Sequence, residues 1–191
     1  VAQAITRTAT VRAAAGLVAC LCAAGLTACQ SSGKTAEAPP PAASTSAAPS
    51  PTANPTADAT ARVLAAYRSM WAAQVKVYTS GTLTGSDLEK YAAHKALANI
   101  KVTAVYYQDH NQVLKGEPTL APQVTAIDLA DAPKATIKDC VDTTNFVPVD
   151  KTSGKPIETG SDHRHVLNGT AMLFSDGWKM TEAAIDRAQT C

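Results

Sequence analysis

The residues of this 191-residue chain that could do chemistry are five cysteines, a pair of histidines two positions apart, and several carboxylates in segments of alternating polarity. His163 and His165 bracket Arg164. On a strand both imidazoles project from one face, at a separation that suits zinc, which takes nitrogen, sulfur and carboxylate ligands in a tetrahedron. No third ligand is evident, since Asp162 would point the other way and Arg164 adds positive charge. The pair therefore reads as solvent-facing histidines at a strand start, with no metal. Asp139 and Asp142 flank Cys140 and, three positions apart, face opposite sides of a regular strand, which suits strand-edge solvation or a hydrogen bond to a turn. The sequence holds no Ser-His-Asp motif of known form, no phosphate-cradling glycine loop and no zinc-finger spacing, so no cofactor is expected.

The elements that position these residues begin with the leader. Arg7 and Arg12 precede an apolar run from Ala13 to Ala24, which is followed by a small-residue exit. The run is too short to span a bilayer, which takes roughly 20 apolar residues. It ends in Leu26-Thr27-Ala28-Cys29, and this ending resembles the bacterial lipoprotein signal, the lipobox. The resemblance implies cleavage between Ala28 and Cys29, a lipid with acyl chains such as palmitate on the Cys29 thiol, and an address on the outer face of the cytoplasmic membrane. An ordinary secretory leader cut near Ala28 is the alternative. Under the lipoprotein reading Cys20 and Cys22 leave with the leader and Cys29 is acylated. Cys140 and Cys191 remain, and in an oxidising compartment they most simply form a disulfide. Asn168-Gly169-Thr170 has the form of a glycosylation acceptor, but behind a bacterial lipoprotein signal it reads as coincidence.

Composition divides the chain into leader 1–28, tether 29–57 and domain 58–191. All nine aromatic residues lie at or after Tyr67, and only Lys34 and Glu37 are charged between Cys29 and Ala57. That stretch of Ala, Pro, Ser and Thr cannot bury enough apolar surface to offset its ordering entropy. Without Arg7 and Arg12 the chain keeps 15 basic against 16 acidic residues, a net charge of −1. A near-neutral chain without a basic stripe argues against a nucleic-acid partner.

Within the domain, Thr56 or Asp58 can cap a long amphipathic helix whose stripe is Leu64, Tyr67, Trp71, Val75 and Tyr78, widened by Val63 and Met70. Gly81 and Gly85 end it. Ser86-Asp87-Leu88-Glu89 has the capping-box form and predicts a second helix to about Asn99, with Leu88, Tyr91, Ala92 and Leu97 inward and His94 on the solvated side. From Val102 to Tyr107 the alternation predicts a strand, followed by strands at Val113 to Lys115, Gln123 to Leu129 and Lys134 to Val141. Asp150 to Pro156 reads as a hairpin tip. The last pair is His163 to Ser175 and Trp178 to Ile185, joined at Asp176-Gly177. The expected class is α+β, with N-terminal helices packed on a curved, mainly antiparallel sheet.

This order of elements resembles the cone-shaped nuclear transport factor two-like fold of ketosteroid isomerases and polyketide cyclases, and in particular small actinobacterial lipoproteins of that shape. The likeness rests on the opening helix with Tyr67, Met70 and Trp71, the strand Ile137 to Asp142, the tip Thr152-Ser153-Gly154, and the hairpin around Gly177-Trp178. It implies a pocket at the open end of a curved sheet. An isomerase, cyclase or dehydratase would need a carboxylate base facing a tyrosine. Asp128, Asp139 and Asp142 are the carboxylates, and Tyr106 or Tyr107 could donate, but the spacing selects no pair. The expectation is therefore a lipid-anchored, non-catalytic envelope protein that binds a small molecule or a protein partner. A pocket-aspartate enzyme and a structural module of an envelope complex are the alternatives.

Overall fold

The computed structural model describes residues 54–191. The cleavage and acylation positions Ala28 and Cys29, the leader, and nearly all of the expected tether lie outside the described residues. The described part is α+β, with three helices and two antiparallel sheets that do not close. No described helix is long and apolar enough to cross a membrane.

Helix α1 (Pro55–Ser80) starts three residues before the expected domain boundary. Asn54 caps it in place of Thr56 or Asp58, its side-chain oxygen accepting from the Thr56 and Ala57 amides, and Pro55 takes the first helical position, where its missing N–H costs nothing. Gly81 closes the helix in the left-handed conformation that glycine adopts without strain. The buried face runs along Val63, Tyr67, Met70 and Val77, with Trp71 and Tyr78 beside it. It is rotated slightly from the expected stripe, so Leu64 and Val75 are only partly buried. It packs on both sheets through β1, β2 and β6, and each fully buried large side chain contributes about 1.5–3 kcal/mol.

The expected second helix is two. The short α2 (Leu88–Tyr91) stops where Ala92 bridges to Met180 and the Ala93 amide donates to the Met180 carbonyl, and α3 (His94–Asp109) follows. The capping box does not form. Asp87 adopts a left-handed conformation, Ser86 Oγ accepts only from the Leu88 amide, and the Glu89 carboxylate instead pairs with Lys101 at 2.6 Å. The expected strand from Val102 to Tyr107 is a continuation of α3. Val102, Thr103 and Val105 favour strands locally, but Ala96, Ile100 and Ala104 place a narrow buried stripe at four-residue steps against β6, and Val102, Val105 and Tyr106 are exposed.

Strand β1 (Gln112–Gly116) pairs with β4 (Phe146–Asp150) in a two-stranded sheet. Gly116 has a positive φ, and any side chain there would collide with the Asn145 carbonyl, so β1 must end on glycine. The main sheet has the order β2 (Gln123–Asp128), β3 (Lys134–Asp142), β5 (Arg164–Phe174), β6 (Gly177–Thr190), all antiparallel. The hairpin joining β5 and β6 turns at Ser175 and Asp176, one residue earlier than expected, because Gly177 already pairs with Phe174. Cys140 and Cys191 are disulfide-bonded with Cα atoms 5.9 Å apart. The bond fastens the exposed end of β6 to β3, and closing a loop of this length stabilises by about 4 kcal/mol. Reduction with a dithiol should therefore lower the unfolding free energy in urea by roughly that amount. A midpoint unchanged by reductant would show that the bond carries no such load.

Candidate functional site

The site is a cleft of about 510 Å³, within the range that encloses drug-sized molecules. Trp71, Gln74 and Tyr78 from the second half of α1 form one wall, and Thr103 and Tyr107 from α3 the next. Leu114 of β1 with Phe146, Val147 and Pro148 of β4 face them. The loop 159–163, His165 of β5, and Ile185 and Arg187 of β6 complete the lining. A neighbouring cavity of about 380 Å³ continues between α3 and β6 past Ile100, Val102 and Leu167.

The local folding of β6 accounts for the last wall. Between Val166, which pairs with Asp186, and His165, which pairs with Thr190, the chain inserts Arg187, Ala188 and Gln189 as a bulge. Asp186 holds this bulge: one carboxylate oxygen accepts from the Ala188 amide at 3.0 Å and the other from the Gln189 side chain at 2.6 Å. Such bulges redirect side chains out of strand alternation, and here Arg187 turns onto the cleft. The Cys191 disulfide anchors the strand just beyond it.

His163 and His165 both line the cleft, and so does Asp162, contrary to the expectation that it points away. Strand β5 begins only at Arg164, so alternation does not apply to residues 162 and 163. His165 Nε2 lies 3.0 Å from the Asp162 carbonyl, an acceptor, which fixes the proton on Nε2 and leaves Nδ1 buried without a partner. In this geometry neither ring nitrogen of His165 is presented to an ion. Among the described residues no cluster of three metal-binding side chains forms.

The carboxylates divide by face as expected, though their roles differ. Asp142 accepts from the amide and hydroxyl of Thr144, which together with Arg164 hold its carboxyl below the usual range. Asp128 accepts from the Ala130 amide at a turn and is exposed. Asp139 faces inward and is 2% exposed, not solvated at a strand edge. It accepts from the Tyr67 hydroxyl at 2.7 Å and from the Ala121 amide at 2.7 Å. A carboxylate–tyrosine pair thus exists, with Tyr67 in place of Tyr106 or Tyr107. Neither partner lines the cleft or the neighbouring cavity. Tyr106 is half-exposed on α3 and stacks on His110, while Tyr107 reaches the cleft. The pairing of Tyr67 with Asp139 had no signal in the sequence, since 72 positions separate them; the cleft lining from the 159–163 loop had none either.

Burial, followed by the hydrogen bond and negative charge of Asp139, pushes the Tyr67 phenol far above its ordinary value; burial does the same to Tyr78. The folded chain therefore holds protons on Tyr67 and Tyr78, and on Tyr107, whose phenol burial also pushes up, that the unfolded chain releases near pH 10. The stability these groups confer is complete below pH 10 and is lost as pH rises above it, by about 1.4 kcal/mol per tyrosine per pH unit. Urea unfolding at pH 9, 10 and 11 should show this decline, with Tyr67→Phe making it shallower. An equal slope in the variant would contradict the assignment.

No protein-family model and no curated protein matches the chain. Among solved structures it is similar to the crystal structure of the intermembrane space region of chloroplast protein ARC6, with a TM-score of 0.46 and 11% identity, covering 69% of this chain and 97% of that one.

Proposed function

We propose that the protein is a lipid-anchored binding module of the cell envelope, held on the outer face of the cytoplasmic membrane through Cys29, whose domain takes a small molecule in the cleft between α1, α3, β4 and β6. The cleft carries this reading: aromatic side chains from α1, α3 and β4 face polar ones from the 159–163 loop, β5 and β6, around a volume suited to an organic ligand. Export and anchoring rest on the lipobox resemblance, and the disulfide geometry suits an oxidising compartment. The finer assignment to the cone-shaped nuclear transport factor two-like fold is likewise our reading. It is supported by a long N-terminal helix lying across antiparallel strands with a cleft at one end. The second reading, a module that docks an envelope protein, draws on the outward face of α3, where Val102, Val105 and Tyr106 are exposed; the sheet was where that patch was expected.

Mass spectrometry of the full chain purified from membranes of a bacterial host tests the proposal. Residues 1–28 should be absent, Cys29 should carry a diacylglycerol thioether, and a small-molecule adduct should appear under native conditions. The adduct should vanish in Thr103→Trp, which fills the neck of the cleft. Cys29→Ser should leave the leader uncut or release the protein. Membrane partition of a processed Cys29→Ser protein would refute the anchor, and a wild-type protein without an adduct but crosslinked through α3 would favour the docking module.

A further inference from the structure

Trp71, Gln74, Tyr78, Thr103, Ile185 and Arg187 line both the cleft and the neighbouring cavity, so they form the neck between them. Arg187 is the only formally charged residue of the six, and the only one lining the neighbouring cavity among the described residues. It has no carboxylate partner among those residues. Its sequence neighbour Asp186 is engaged by the Ala188 amide and the Gln189 side chain, while Arg187 itself lines the neck. Tyr107 lines the cleft with it, and the Arg187 charge works against the rise that burial gives the Tyr107 phenol.

We infer that the cleft selects an apolar carboxylate: a ring or chain lying between the aromatic walls, with its single negative group at Arg187. A guanidinium offers two parallel donors that match the two oxygens of a carboxylate. One positive charge balances a carboxylate but leaves a doubly charged phosphate monoester undercompensated. The only acidic residue on the lining, Asp162, does not border the neighbouring cavity, so the neck itself carries no acidic side chain. The apolar part of the ligand has Ile100, Val102 and Leu167 to rest on in the neighbouring cavity.

This inference rests on the reading of the cleft as a small-molecule site, and the experiment separates the two. Fluorescence titration of the oxidised full chain compares 2-naphthoate with 2-naphthylmethanol, which has the same ring system and no charge. The naphthoate should bind about tenfold more tightly, as expected for a charge-assisted hydrogen bond. Arg187→Gln should erase that preference, and Arg187→Lys should restore part of it. Because Arg187 is exposed, the variants should keep the wild-type circular dichroism spectrum. Equal binding of the two probes, or a preference that survives Arg187→Gln, overturns the carboxylate assignment and leaves the cleft as a binding site. Failure of both probes to bind overturns both readings.

Discussion

The hydrogen bond from the Tyr67 hydroxyl to Asp139 holds the described domain in register. It ties the middle of α1 to the inward face of β3, and through the Ala121 amide it also ties the segment between β1 and β2. A carboxyl buried this deeply requires its donors, because leaving one unmade costs about 1–3 kcal/mol. The bond therefore sets how α1 lies on the sheet more strictly than the surrounding Val63, Met70 and Val77, which tolerate small slides. With Tyr67 fixed, the next three turns of α1 carry Trp71, Gln74 and Tyr78 to the cleft.

Two further constraints shape the opposite wall. The bulge at Arg187 to Gln189 turns β6 out of alternation, and the disulfide at Cys191 keeps the strand from fraying beyond it. One wall of the cleft stands on a helix held by a buried polar clamp and the other on a strand held by a covalent one. Its aromatic lining is thus held by rigid elements, and the 159–163 loop is the longest part of the lining without secondary structure. Pre-shaped walls of this kind reduce the ordering cost of binding.

The sequence disclosed those parts of the fold in which local pattern and tertiary packing agree. The amphipathic stripe of α1, the glycines that end it, and the alternating runs of β2, β3, β5 and β6 were legible because burial and propensity point the same way. The segment from Val102 to Tyr107 was not. Its β-branched and aromatic residues satisfy a two-residue period as well as a helical one, and only contact of Ala96, Ile100 and Ala104 with β6 decides for the helix. Strand β4 escaped notice because Pro148 interrupts its pattern, which an edge position opposite Leu114 tolerates. At the site, Trp71 and Tyr78 were visible only as core residues, and Arg187 was not singled out, since its placement depends on a bulge that no spacing announces. The opposite facing of Asp139 and Asp142 followed from strand alternation, but the burial of Asp139 and its partner did not.

A double-mutant cycle between Tyr67→Phe and Asp139→Leu, read as urea unfolding free energies, tests the clamp most directly. If the pair is the clamp described, the two losses are non-additive, with a coupling of about 1–2 kcal/mol. Additive losses, with a coupling near zero, would show that Tyr67 and Asp139 contribute independently and that α1 is positioned by apolar packing alone.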